Sequence, residues 1–418
     1  MINLSVVKDR NLSPLGDYKI EWAKAHMPIL NQIGNDYHES KPLAGARIVT
    51  SVHMEAKTAC LVRALASLGA TVYATGCNPL STQDDVAASL AETPNVTVYA
   101  IHDVTNTEYQ EHLIKALSHH PHLIIDDGGD LVNLLHTDYQ PYGKFILGGC
   151  EETTTGIQRL KILERNSKLL FPMINVNDAE CKHNYDNHFG TGQSVLDGIM
   201  RTTNLVIAGK NFVVAGYGDC GSGIAKRARG MGAHVIVTEI DPIKALKAHM
   251  DGFTVTTMEH AASLGDFFVT ATGCKDVITR KHFKYMPNGA ILANAGHFDV
   301  EINVKDLTRL AACRYEVRPN IKCYKSLEGK YLYLISEGRL VNLAAADGHA
   351  AEIMDMSFSI QLLSLIHINL NYNSNTAKRI HQVPREIDKK VALLALRANH
   401  LSIDSLTTDQ IDYLENGF

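Results

Sequence analysis

The sequence predicts an α/β protein built from two doubly wound parallel-sheet domains, a substrate domain and a Rossmann dinucleotide domain, with a short C-terminal tail. Three observations carry that expectation. Short apolar runs alternate with helical stretches in two separate series, one from Lys41 and one from Asn211. The second series opens on a glycine turn, Gly216-Tyr217-Gly218-Asp219-Cys220-Gly221, directly behind the apolar run Phe212-Val213-Val214-Ala215. Finally, 418 residues exceed what one ordinary core organises.

In chain order, the first series reads as a strand at 47–53, a helix through 58–68, a strand at 71–75, a helix near 84–91, a strand at 96–100, a helix at 108–118 and a strand ending at Asp126-Asp127. Strands joined through helices run parallel. His53, Asn78, Asp126 and Asp127 therefore fall just past strand ends, where open α/β sheets bind ligands. The second series begins near Asn211, and the boundary between the two is expected at residues 183–190. The resulting division is a first domain over 1–186, a second over 187–347, a return segment to the first over 348–380 and a tail over 381–418. The polar, turn-like stretch Asn371–Thr376 marks the approach to that tail. The sequence shows no internal repeat or low-complexity tract.

The glycine turn has the chemistry of a pyrophosphate site. Its first glycine permits the tight turn, the second lets backbone N–H groups approach phosphate, and the third lets the following helix pack closely on the strand. The run His234-Val-Ile-Val-Thr-Glu239 reads as the next parallel strand and ends in a carboxylate about twenty residues on, placed for ribose hydroxyls. That carboxylate would repel a 2′-phosphate, so NAD is expected over NADP, and Lys244 is the nearby cation that could offset the repulsion.

Composition narrows the partners. The chain has 40 Lys and Arg against 45 Asp and Glu, a net charge of −5, and no long block of like charge. Neither nucleic acid nor an anionic membrane is expected to bind. The stretch Met1–Arg10 lacks the pattern of an export signal, and a cytoplasmic location is expected. The eight cysteines include no Cys-x-x-Cys, so reduced thiols and no zinc site are expected. The cluster His119-His120-Pro121-His122 reads as a loop at a helix end rather than a metal site.

Three polar constellations precede the glycine turn. Asp126-Asp127-Gly128-Gly129-Asp130 crowds three acids at a strand end, which calls for a ligand, a cation or raised pKa values. Glu151-Glu152-Thr153-Thr154-Thr155-Gly156 precedes a helix, and capping accounts for one threonine but not for three. Asn175-Val-Asn177-Asp178 is followed by Lys182, Asp186 and Asn187, a Lys–Asp pair at i,i+4 if helical, lying at the domain boundary.

Together with Ser51-Val-His53-Met, Asn78–Asp84, Gly296-His297-Phe298 and Glu337–Leu343, these stretches resemble the S-adenosyl-L-homocysteine hydrolase family over nearly the whole chain. The resemblance implies a homotetramer acting on a small nucleoside thioether, S-adenosyl-L-homocysteine, in the methyl cycle. It implies that Asp127, Glu152, Lys182 and Asp186 face the substrate ribose, with His53 and His297 near the 5′ position. It implies that Thr153, Thr154, Thr155, Asn187, Gly218, Asp219, Cys220, Gly221, Ser222, Gly223, Glu239, Lys244, Ala295, Gly296, His297, Asn342 and His349 hold NAD, and that Glu55, Lys57 and Thr58 meet the base. The implied reaction oxidises the ribose at C3′, which acidifies C4′–H; homocysteine is then eliminated, water adds and the ketone is reduced.

The chain departs from the family in four places. Glu55 and Lys57 stand where most members carry Thr and Glu, so a donor replaces an acceptor opposite the purine 6-position and S-inosyl-L-homocysteine becomes an alternative substrate. Thr191 replaces a Cys, Lys244 replaces an Asn, and the chain ends at Phe418 without the Lys- and Tyr-bearing extension that reaches a neighbouring subunit's NAD in longer members, so that contact is not expected. Three competing functions are an ordinary NAD dehydrogenase, a nucleoside 4′,5′-dehydratase and a non-catalytic nucleotide-binding regulator.

Overall fold

The computed structural model describes residues 4–417; Met1–Asn3 and Phe418, which the expected domain bounds include, lie outside them. Strands β1 (Arg47–Ser51), β2 (Thr71–Thr75), β3 (Val96–Tyr99), β4 (Leu123–Asp126), β5 (Gly148–Glu151) and β6 (Met173–Asn175) form the first sheet. The second contains β7 (Asn211–Ala215), β8 (His234–Thr238), β9 (Thr254–Val255), β10 (Phe267–Thr270), β11 (Ala290–Asn294), β12 (Ala311–Arg318), β13 (Ile321–Ser326) and β14 (Tyr331–Ile335). A last strand, β15 (Ile380–Gln382), returns to the first sheet.

The strand orders explain where ligands bind. The first sheet runs β15-β6-β5-β4-β1-β2-β3 and the second β12-β13-β14-β11-β10-β7-β8-β9. Each reverses direction beside its first strand, between β1 and β4 and between β7 and β10, opening a crevice beyond the strand C-termini. Helices cover both faces, so Ile48, Val49, Ile124 and Ile125 in one sheet and Phe212, Val213, Val214 and Phe268 in the other are fully buried. An antiparallel meander, β12–β13–β14, extends the second sheet at one edge.

The chain crosses between domains at a π-helical stretch, His183–Gly190, which leads into the helix Thr191–Thr203. It crosses back through the loop before the helix Ala351–Asn371. By length and composition this return helix could span a membrane, but 72% of its most apolar window is buried, and Phe358, Ile360, Leu362 and Leu365 belong to the core of the first domain.

The expected tail over 381–418 begins inside the fold. β15 pairs in parallel with β6, and the helix Arg385–Ala398 buries Val391 in the first core. Asp388 on that helix accepts from the backbone N–H groups of Glu180 and Cys181 at 2.7 and 2.9 Å. The polar turn before β15 suggests a detached tail, whereas the single apolar stripe of this helix anchors it. From Asn399 to Gly417 the described residues are exposed.

Candidate functional site

The two crevices face each other across one cavity of about 970 Å³, lined from both domains. On the second domain's side, Gly216 has φ +96° and turns the chain out of β7. Gly218 caps the helix Asp219–Gly230, and a Cβ there would meet nothing within 4 Å, which leaves the backbone open to a ligand. A Cβ on Gly221 would sit 2.0 Å from the Gly216 carbonyl oxygen, and one on Gly223 2.0 Å from that of His188.

Gly216, Gly218, Asp219 and Cys220 line the cavity; Gly221, Ser222 and Gly223 do not. Those three were expected at the cofactor, but they are buried in packing, Gly221 on the Gly216 carbonyl, Gly223 on that of His188, and Ser222 in a hydrogen bond with His188. Glu239 directly follows β8 and accepts from Tyr217 N–H at 2.6 Å and from Ile240 and Asp241 N–H at 2.7 and 3.0 Å. Its carboxylate thus ties the glycine turn to the next strand end, and both it and Lys244 border the cavity. Ala295, Gly296 and His297 follow β11, and Asn342 points a buried, unpartnered Oδ1 into the same region. An open glycine cradle at a helix N-terminus, a carboxylate one strand over and an unsatisfied amide oxygen fit NAD.

On the first domain's side, Lys182 is 3% exposed, between two buried acids. Its Nζ stands 3.5 Å from Glu152 Oε1 and 3.5 Å from Asp186 Oδ1, and donates to Asn187 Oδ1 at 2.8 Å. Burial alone would lower its pKa, but Asp186 and Glu152 raise it above the ordinary value, so it rests as an ammonium. Burial pushes Glu152 up to about 7 despite Lys182. Asp186 goes the other way: burial would raise it, yet Lys182, His349 and Ser357 hold it well below the carboxylate range. His349 was expected only at NAD, but it lies with Nδ1 2.9 Å from Asp186.

Asp127 is 3% exposed and meets His53 through Oδ2 and His297 through Oδ1, at 3.6 and 3.8 Å. The nitrogen and oxygen donors of these three all lie within 4.8 Å of one another, close enough to pass protons or to hold a cation, and they form the one such grouping among the described residues. His297 comes from the second domain and abuts Gly128, where a Cβ would be 2.3 Å from its Nε2. His53 sits beyond the end of β1, its Nδ1 2.6 Å from Ser81 Oγ, and burial holds its pKa down to about 4.

The other crowded acids are accounted for locally. Asp130 turns to Arg159 at 2.7 Å, and Asp126, pushed by burial up to about 7, accepts from Val132 N–H. Thr153 caps the helix Thr154–Arg165 and also donates to Glu151, and Thr153, Thr154 and Thr155 all line the cavity. The histidines at 119, 120 and 122 serve structure: His119 stacks on Tyr73 with centroids 3.8 Å apart, and His122 Nδ1 accepts from Arg47 N–H.

At the far end, Glu55 caps the helix Ala56–Ser67, accepting from Lys57 and Thr58 N–H. Lys57 Nζ lies 2.8 Å from Glu55 Oε2 and donates to the Asp347 carbonyl oxygen at 2.8 Å. The sequence reading missed Cys77, whose thiol lies 3.2 Å from Asp127, and Ser357 and Gln361, which hold Asp186 and Glu152. Cys77 directly precedes the polar stretch Asn78–Asp84, and the other two are polar residues inside an apolar helix; those are the signals that could have found them.

Comparison with known proteins accords with this geometry. Residues 5–147 match the family model described as S-adenosyl-L-homocysteine hydrolase, and residues 187–348 match its NAD binding domain. The chain is 53% identical over 413 residues to an S-inosyl-L-homocysteine hydrolase of Methanococcus maripaludis, covering 99% of each. It is 52% identical over 410 residues to an adenosylhomocysteinase of Pyrococcus abyssi, covering 98% of this chain and 97% of that one. An adenosylhomocysteinase of Aquifex aeolicus is 51% identical over 410 residues, with 98% of each covered.

Proposed function

Because the chain belongs to the S-adenosyl-L-homocysteine hydrolase family, and so is an NAD-dependent hydrolase acting on the thioether bond of a nucleoside, we propose that the shared cavity runs that reaction on the residues lining it. The observation that carries the reading is Lys182, an ammonium buried between two acids of opposite proton affinity, across the cavity from the glycine cradle.

When bound, NAD supplies a hydride acceptor, and later a donor, for ribose C3′. Glycines 216 and 218, Glu239 and Asn342 would hold it, with Thr154 and Thr155 closing from the first domain. Lys182 and Asp186 orient the 3′-hydroxyl and drain its proton, and Glu152 anchors the ribose hydroxyls. Asp127 moves the C4′ proton once C3′ is a ketone. His53, neutral at physiological pH, and His297 pass protons at C5′ as homocysteine leaves and water adds. Contact between His297 and Gly128 keeps water away from the ketone while both domains embrace the substrate.

S-adenosyl-L-homocysteine is the substrate the family suggests. A second reading, S-inosyl-L-homocysteine, is favoured by Lys57, whose ammonium borders the cavity as a donor suited to a 6-oxopurine. The assembly is proposed to be a homotetramer in the cytoplasm. The exposed segment 399–417 supports association, since it shows Leu401, Ile403, Leu406 and Leu414 to solvent.

The test follows homocysteine and reduced cofactor together. The reading expects thiol release with each thioether cleaved and no net NADH. One NADH released per nucleoside would favour a simple dehydrogenase, and a product stopped at the 4′,5′-alkene would favour the dehydratase.

A further inference from the structure

The return helix Ala351–Asn371 is apolar in composition, yet it buries Ser357, Ser359, Gln361 and Ser364 completely. Two of these, one turn apart and so on one face, reach the acids beside Lys182. Ser357 Oγ donates to Asp186 Oδ2 at 2.8 Å, and Gln361 Nε2 donates to Glu152 Oε2. Gln361 Oε1 has no hydrogen-bond partner, nor has Glu152 Oε1, which faces Lys182.

The two contacts differ in kind. Ser357 is one of three donors directed at Asp186, with Lys182 and His349, and all of them favour the ionised acid. Gln361 is a primary amide with a donor edge and an acceptor edge. A half-turn about its last bond offers N–H to a carboxylate or C=O to a carboxylic acid.

We propose that Gln361 and Ser357 are positioning residues of the reaction: Gln361 serves Glu152 with or without a proton by turning its amide, whereas Ser357 donates to an Asp186 that Lys182 and His349 already hold as a carboxylate. The acids around Lys182 are thereby divided into one that accepts a proton and one that does not. Resting on the reading that the site oxidises C3′, the step balances as follows. The C3′ hydrogen leaves as hydride to the NAD that the activity uses. Lys182 passes one proton to Glu152 Oε1, whose carboxyl turns to bring that O–H against the turned C=O of Gln361, and Lys182 takes the proton of the 3′-hydroxyl, so the ammonium is restored and C3′=O is formed. The final reduction runs the same transfers backward.

Electrostatics agrees with this division. Glu152 is faced by Lys182, Asp186 and Asp127 as well as Gln361, and its burial outweighs Lys182, so it exchanges a proton near neutrality. Without an amide able to turn, one of its two protonation states would leave a buried polar edge unpaired.

The test reads the carboxyl directly. Infrared difference spectra of substrate-free protein in D2O, with the Glu152 band assigned by its loss in Glu152→Gln, give the titration midpoint of that group. In Gln361→Met, of similar size but with neither edge, the midpoint is expected to rise by about one pH unit or more, because the ionised form loses its donor. With substrate, kcat should fall roughly tenfold or more while KM changes little. Gln361→Glu guards against a variant that merely fails to fold: it keeps the shape, and one proton should then titrate over the pair at a still higher midpoint. A Glu152 midpoint and carbonyl band unchanged in both variants would overturn the proposal whatever happens to turnover. Absence of NAD reduction by nucleoside in the wild type would instead sink the C3′-oxidation reading, which the substrate-free titration does not depend on.

Discussion

Lys57 donates to the backbone carbonyl oxygen of Asp347 at 2.8 Å, tying the first turn of the helix Ala56–Ser67 to the loop that carries the chain back between domains. The Asp347 carboxylate is held in turn by Arg201 at 2.7 Å. Two of the three ammonium protons of Lys57 are thus engaged, on Asp347 and Glu55, and the third remains for a purine substituent.

A 6-oxo group can accept that proton, whereas a 6-amino group would set donor against donor. An unmatched buried polar contact costs about 1–3 kcal/mol, or roughly 5- to 150-fold. The expected outcome is that Lys57→Glu shifts the kcat/KM ratio of the adenosyl over the inosyl thioether upward by that order. If the wild type strongly prefers the adenosyl compound and the substitution leaves the ratio unmoved, Lys57 does not read the base.

Lys182→Met is expected to leave NAD bound but to abolish C3′ oxidation, since the hydroxyl proton loses its path between Glu152 and Asp186. Turnover should fall by about 10²- to 10⁴-fold, the range for losing a positioned acid–base group. Absorbance of enzyme-bound NADH after mixing with nucleoside checks this, and a full signal in the variant would remove Lys182 from the role.

Much of this site was legible because its residues sit at strand ends, where periodicity stops and polar residues have no packing reason to be. Asp127, Glu152 and the glycine turn stood out for that reason. Lys182 and Asp186 were marked by their i,i+4 spacing at the domain boundary, but the spacing did not show that the pair is buried where a short helical turn runs into a π-helical one. Gln361 and Ser357 stayed hidden because a polar residue within a long apolar helix carries no sign of what it faces until the fold brings β5 and the π-helix against it. The motif does foretell close packing at its third glycine, Gly221, whereas the tight contact of Gly223 with the His188 carbonyl lies outside the motif and shows only in the fold.

That packing separates two glycines of one motif. Gly221→Ala puts a Cβ 2.0 Å from a backbone oxygen, so the turn and helix must part, with an expected loss of about 1–3 kcal/mol together with NAD affinity. Gly218→Ala meets nothing within 4 Å and should keep the melting temperature of the cofactor-free protein while weakening NAD binding. Thermal melts with and without NAD distinguish the two, and equal loss of apo stability in both would contradict this division.

The pH dependence of stability carries two opposing contributions. Glu152 binds its proton more tightly folded, near 7, than at its ordinary 4.5, so its stabilising effect is complete below pH 4.5 and is lost as pH rises through 7. Glu152→Gln removes that loss, and relative to wild type it should gain on the order of 2–3 kcal/mol between pH 5 and pH 8. His53 is held near 4, below its ordinary 6.5, so the unfolded chain takes up a proton first and stability falls as pH drops from 6.5 towards 4. His53→Gln should flatten that acid side and leave the alkaline side alone. Urea unfolding of the three proteins across pH 4.5–8.5 measures both slopes, and a Glu152→Gln curve parallel to wild type would mean that the acid is already ionised throughout.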